Sequence, residues 1–194
     1  MSRRTLGTIK KPSTTGGGAW TLIGTQDASS SASLTQTGLD DSIYDTYAIV
    51  LADLVPATDN VEPYIRVGDS GGIDSAGSDY AWGASSMSLN TTTGTEGYFE
   101  DNADSQIKLT GTNAVGSAAG EGYGGVFYLH RPSGGNMQPC ISGLYFNFNG
   151  SAVPLSGFST GARLSVITLD RIQFFFSSGN IATGRLTVYG ISHT

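Results

Sequence analysis

The chain has 194 residues, enough for one domain with its own hydrophobic core, so no metal or disulfide staple is required. Its net charge of −6 is uneven: residues 1–11 carry only the positive Arg3, Arg4, Lys10 and Lys11, leaving a body of net −10. That acidic body argues against nucleic acid as the main partner, because duplex binding rests on neutralising phosphates, and no apolar run approaches membrane-spanning length.

Glycine is abundant at 28 residues, while the strong helix formers lysine (three) and glutamate (four) are scarce, a bias toward strands joined by turns. Cys140 is the single cysteine, so no internal disulfide can form, which fits synthesis in a reducing cytoplasm. Met1–Lys11 lacks the apolar stretch of a signal peptide.

In chain order, residues 1–18 read as a basic arm ending in a Gly-rich hinge, and 19–194 as one domain. Strands are expected near Trp20–Gly24, Ala32–Thr37, Thr46–Leu51, Pro63–Val67, Ile107–Thr110, Val126–His130, Leu144–Phe148, Leu164–Thr168, Ile172–Phe176 and Leu186–Tyr189. Leu39, Ile43, Tyr47, Val50 and Leu54 recur at near-helical spacing, but the β-formers of 46–51 and the following Pro56 favour a strand. The Gly/Ser-rich stretch 68–125 reads as long loops. Alternation places Leu144, Phe146 and Phe148 on one face, as it does Ile172, Phe174 and Phe176, and Leu186 and Val188; these faces are expected to line the core. Some ten strands without helical crossovers imply an all-β fold, an antiparallel β-sandwich of jelly-roll type with an extended N-terminal arm. A closed barrel is the alternative.

Several patterns invite a chemical reading. Gly68-Asp69-Ser70-Gly71-Gly72 is identical to the stretch around the nucleophile of chymotrypsin-like proteases, in which histidine and aspartate precede the serine. Here both histidines, His130 and His193, follow it. Cys140 with His130 as base is outweighed by the ordinary role of a free cysteine as a small buried hydrophobe. Asp69, Asp74 and Asp79, with Asp101 and Asp104, offer hard oxygen ligands of the kind Ca²⁺ takes, though aspartates are common in turns. Zinc and phosphate-loop patterns are absent, and Glu96, Glu100, Asp101 and Glu121 do not stand out as paired catalytic carboxylates. The expectation is a non-enzymatic protein without cofactor or metal. Among the aromatics Tyr64, Tyr80, Trp82, Tyr98 and Tyr123, Tyr80 and Trp82 are favoured as surface binders.

The ending Ile172-Gln-Phe-Phe-Phe-Ser-Ser-Gly-Asn-Ile-Ala-Thr-Gly-Arg-Leu-Thr-Val-Tyr-Gly-Ile191 resembles the close of small virion proteins of tailed bacteriophages. Tyr44-Asp-Thr-Tyr-Ala-Ile-Val-Leu51 and Val55-Pro-Ala-Thr-Asp59 are similar to their early strand and turn. The resemblance covers about a quarter of the chain. It implies a β-sandwich virion structural protein, made in the host cytoplasm, that decorates or cements a capsid or forms a fibre or tail appendage, often as a trimer. The implied partners are the major capsid protein or other virion proteins, bound through Arg3, Arg4, Lys10 and Lys11 and the sheet edges. A receptor-binding fibre protein and a carbohydrate-binding module acting on host glycan are the alternatives; no membrane partner is expected.

Overall fold

Thirteen strands and no helix fill the residues that the computed structural model describes, 19–89, 96–130 and 136–191. They are β1 (Trp20–Asp27), β2 (Leu34–Thr37), β3 (Thr46–Pro56), β4 (Pro63–Asp69), β5 (Gly72–Ile73), β6 (Tyr80–Ser88) and β7 (Glu96–Asp104). There follow β8 (Ile107–Lys108), β9 (Gly122–His130), β10 (Cys140–Phe148), β11 (Pro154–Arg163), β12 (Arg171–Phe176) and β13 (Ile181–Ile191). Arg3, Arg4, Lys10 and Lys11 lie outside the described residues.

The strands form two antiparallel sheets facing each other as a sandwich. The larger runs β1-β13-β3-β9-β10-β11-β6-β7, and the smaller β2-β12-β4-β5 with β8 beside β4. This order establishes the sandwich; the two four-stranded Greek keys of a jelly roll do not follow from it. Between the sheets, Ile172, Phe174 and Phe176 of β12 meet the inward residues of the larger sheet, among them Ile49, Phe127, Leu186 and Val188, all buried. The C-terminal strands thus line the core as their alternation predicts.

Three expectations are corrected. On β10 the faces are reversed: Tyr145 and Asn147 are buried while Leu144 is 67% exposed and Phe146 43%. Tyr145 donates its hydroxyl to the Ser85 carbonyl at 3.0 Å, and Asn147 Nδ2 donates to the Ala114 carbonyl at 3.2 Å. The Tyr145 hydroxyl and Asn147 Nδ2 keep partners in the core although Asn147 Oδ1 has none among the described residues, so polarity alone misassigned the faces. Leu164–Thr168 is not a strand. Arg163 closes β11 there, its Nε 2.8 Å from Asp74 Oδ2 and its Nη2 3.1 Å from Asp79 Oδ1. The stretch 68–125 carries the nine-residue strands β6 and β7 rather than loops alone.

Of the residues at near-helical spacing, Leu39, Tyr47 and Leu54 are buried while Ile43 is exposed and Val50 lies in an outward row, so they share no single face. Tyr47, Ile49 and Leu51 point inward at strand period, then the register with β9 slips between Leu51 and Leu54. Asp53 adopts φ 53° in this irregularity. A bulge inserts a residue, so the inward step from Leu51 to Leu54 is three instead of two.

Candidate docking surface

The outward face of the larger sheet has no layer over it among the described residues, and its composition is that of a partly covered surface. A single cross-strand row traverses all eight strands: Thr25, Thr187, Val50, Val126, Leu144, Phe158, Ser85 and Tyr98. Side chains in one row share a face, because the pleat repeats every two residues. The row begins with hydroxyls, Thr25 Oγ1 lying 3.3 Å from Thr187 Oγ1, and becomes apolar toward the middle. Val126, Leu144 and Phe158 are adjacent and exposed, and Tyr98 beyond them is 76% exposed.

Neighbouring rows extend the patch. Toward β1, the Trp20 ring packs 5.7 Å from that of Tyr189 and 6.3 Å from that of Tyr128. Ala48, the cross-strand neighbour of both tyrosines, is fully buried. Toward the other strand ends, Phe146 lies edge-on to Phe148 at 5.3 Å. Where β11, β6 and β7 meet, Tyr98, Phe99, Glu100, Phe158 and Thr160 line a shallow cleft of about 530 Å³. Contiguous apolar patches on a protein surface are commonly places of contact, which makes this face a candidate.

Glycine makes this arrangement stand. Tyr145 is flanked across the strands by Gly125 and Gly157, and Gly143 is opposite Phe127. A Cβ on Gly157 would strike the Ser85 carbonyl and the Tyr145 ring. The inner rings therefore lie against bare backbone, and the bulky residues between them are turned outward.

Tyr80 and Trp82, expected at the surface, are core residues, 0% and 7% exposed. The Tyr80 hydroxyl accepts the Val67 N–H at 3.0 Å and faces the carbonyl oxygens of Val67 and Asp74, both at 2.9 Å. Burial pushes its phenol well above the usual range. Trp82 Nε1 donates to Asp104 Oδ2 at 3.1 Å. Their alternation with Ala81 and Gly83 was the signal, and it places both on the inner face of β6. The outward residues Leu144, Phe146, Phe158 and Val126 escaped notice because apolar strand residues read as core.

The remaining chemical candidates are placed as follows. Ser70 sits in the turn between β4 and β5, where Asp69 Oδ1 accepts the Gly71 N–H at 2.7 Å. The cleft beside Ser70, lined by Gly38, Leu39, Asp40, Asp41, Thr168, Leu169 and Asp170, contains no histidine. Cys140 and His130 are direct cross-strand partners. However, the ring Nδ1 of His130 is 3.3 Å from a hydroxyl, Thr46 Oγ1, and the Cys140 thiol faces the Gln138 carbonyl at 3.4 Å. Burial pushes that thiol up, toward the protonated form that is neither nucleophile nor ligand. Arg163 occupies the place between Asp74 and Asp79 that a cation would take. Among the described residues no group of three or more His, Cys, Asp or Glu is arranged to hold a metal ion.

Charge is segregated. All five cations of the described residues are engaged: Arg66 with Ser105 and Gln106, Lys108 with Glu62, Arg163 with Asp74 and Asp79, Arg171 with Asp170, Arg185 with Asp27. Glu96, Glu100 and Asp101 on β7 pair with none of them. No family model, curated protein or solved structure matches the chain.

Proposed function

We propose that this chain is a non-enzymatic structural subunit of a phage virion, a decoration or cement protein that works by docking its open sheet face. The observation that carries this reading is the exposed set Val126, Leu144 and Phe158 on β9, β10 and β11, continued past Ser85 of β6 to Tyr98 on β7. Covering a fully exposed Leu or Phe is worth about 1.5–3 kcal/mol, so a partner that seats several of these side chains gains an interface without chemistry. The virion setting comes from the resemblance of residues 172–191 and 44–59. On this reading the partners are the major capsid protein or another virion protein, the subunit is a homo-oligomer (a trimer), and it reaches the particle from the host cytoplasm.

The experiment is co-sedimentation with purified coat shells, wild type against Leu144→Ser/Phe158→Ser. Retention and a raised shell melting temperature with wild type alone support the reading. Equal behaviour of both proteins, or no retention of either, removes it.

The cleft beside Tyr98 favours a second reading, host-glycan recognition. Tyr98 and Phe158 offer rings to stack on a sugar, and Glu100 and Thr160 offer polar groups to its hydroxyls. A flat glycan-array profile would remove it.

A further inference from the structure

We infer that the partner seated on the open face inserts an arginine side chain into the slot that Tyr98 and Phe158 form beside Gly83, with its guanidinium on the Glu100 carboxylate. The inference rests on the docking reading of that face and names the partner's anchoring group.

The slot is built by residue size. On β6 the outward residues are Ala81, Gly83 and Ser85, while its neighbours β11 and β7 raise larger side chains on either side. Phe158 and Tyr98 flank Ser85 in one cross-strand row, and Thr160 and Glu100 flank Gly83 in the next. The walls stand two strand spacings apart, about 9.6 Å. A flat group touching a ring on each side needs about 7–8 Å, twice a carbon–carbon contact distance. The slot therefore takes one planar group, and its volume of about 530 Å³ leaves room for the stem that carries it. Tyr98 is tethered as a wall, because its hydroxyl donates to Glu96 Oε2 at 2.8 Å.

The fold does not require glycine at position 83. A Cβ on Gly143, Gly157 or Gly161 would strike backbone or a core side chain. A Cβ on Gly83 would meet only the Phe99 carbonyl, at the ordinary contact distance of 3.8 Å, and Gly83 has no positive φ. Glycine inside a strand costs stability and often marks a place where a ligand approaches closely. At Gly83 an occupant of the slot supplies the reason that packing and backbone geometry do not.

The chemistry of the slot selects that occupant. Its lining includes no Lys, Arg or His. The Thr160 hydroxyl gives its hydrogen to the Ile141 carbonyl at 3.1 Å, so toward the slot it can only accept. The N–H groups of β6 and β11 are tied into the sheet. Glu100 offers both carboxylate oxygens and pairs with none of the described cations. What remains is acceptors and ring faces, apart from the rotatable hydroxyl of Ser85. A guanidinium answers both, being planar, donor-only and able to stack on aromatic faces. A lysine ammonium is a point charge that does not lie flat between rings, and a sugar hydroxyl brings an acceptor with every donor. Apolar surface of the same partner over Leu144, the neighbour of Phe158, keeps water from the contact, the setting in which arginine anchors interfaces.

The test uses the purified full chain and purified coat shells, with melting temperature as the folding control. In an NMR titration, N-acetyl-arginine amide is expected to shift the amides of residues 83–85, 98–100 and 158–160 saturably. N-acetyl-lysine amide and the uncharged isostere N-acetyl-citrulline amide are expected to bind more weakly. Tyr98→Ala, Glu100→Gln and Gly83→Leu should each weaken the arginine probe about threefold or more. Glu100→Gln and Gly83→Leu should weaken shell retention about tenfold. An arginine probe that fails to saturate, or that lysine or citrulline matches, overturns the inference. So does shell retention that is lost with Leu144→Ser/Phe158→Ser but unchanged by Glu100→Gln and Gly83→Leu; docking then stands without the arginine. Neutral-glycan binding lost with Tyr98→Ala, or self-association of the purified chain lost with Arg185→Gln, assigns the slot to a sugar or to a second copy and also overturns it. If shells retain no form of the chain, the docking reading and the inference fail together.

Discussion

Leu144 and Phe158 stand directly opposite each other on β10 and β11, with both side chains turned away from the core. Their neighbour Tyr145 is 3% exposed. Adjacent residues thus face opposite ways, one outward and the other into the core, and substitution separates the two faces. Leu144→Ser and Phe158→Ser are each expected to change unfolding free energy by no more than about 0.5 kcal/mol, as surface changes do. Tyr145→Ala, which empties an inner site and strands the Ser85 carbonyl, is expected to cost about 3–5 kcal/mol. Urea denaturation of the three purified variants checks both.

Gly157→Ala probes the bare backbone under the Tyr145 ring. The added methyl runs into the Ser85 carbonyl and the phenol, neither of which can swing clear. A loss of about 1–3 kcal/mol is expected, in the range of an overpacked core. Gly83→Ala on the next strand is the control, because its Cβ would meet only the Phe99 carbonyl at 3.8 Å. Its melting temperature should stay much nearer wild type.

Arg163 joins the end of β11 to the loop before β6. Arg163→Met leaves Asp74 and Asp79, 22% and 15% exposed, without their shared cation. The pair is partly wet, so the expected loss is about 2 kcal/mol, below the 3–5 of a dry pair. Denaturation with and without added Ca²⁺ also asks whether the freed carboxylates accept a metal.

Alkaline stability follows from Tyr145. In the unfolded chain a tyrosine ionises near pH 10, whereas burial holds Tyr145 up to about 12. Between those values the unfolded state loses a proton that the folded state keeps. Stability is therefore whole below pH 10, declines as pH rises, and stops declining from this cause above about 12. Tyr47, Tyr64, Tyr80 and Tyr123 are raised in the same direction, chiefly by burial, and contribute to the same decline. Tyr145→Phe should remove one proton's share of the slope, measured by urea titrations from pH 8 to 12.

The sequence revealed the fold class and concealed the surface, for reasons visible in single strands. β12 and β13 were legible because Ile172, Phe174, Leu186 and Val188 alternate with residues that do face outward. On β10 the polar Asn147 lies on the inward face with Tyr145 while Leu144 and Phe146 face outward, so alternation showed two faces and polarity pointed to the wrong one. β6 was hidden by its outward Ala81, Gly83 and Ser85, which read as loop although Tyr80, Trp82 and Ala84 keep strand period. β3 and its lead-in resembled a helix because the exposed Ile43 and outward Val50 are apolar and because a bulge at Asp53 sets Leu54 three residues after Leu51. Glycine misled most: read as turn material, at Gly125, Gly143 and Gly157 it lies inside strands beside aromatic rings. The exposed apolar row was invisible because only strand order makes Val126, Leu144 and Phe158 neighbours.

The pairing of β1 with β13 also governs how the chain is made. Trp20 meets Ile191, and β3 is held between β13 and β9, so the earliest strands of the larger sheet wait for the last. Ribosomes deliver residues in order, and contacts distant in sequence form late. A nascent chain that has emerged only as far as β12 lacks β13, the sheet neighbour of β1, and offers β3 only β9. Its unpaired strands are then at their most vulnerable to chaperone capture or mispairing with another nascent chain, until β13 emerges and closes the sheet.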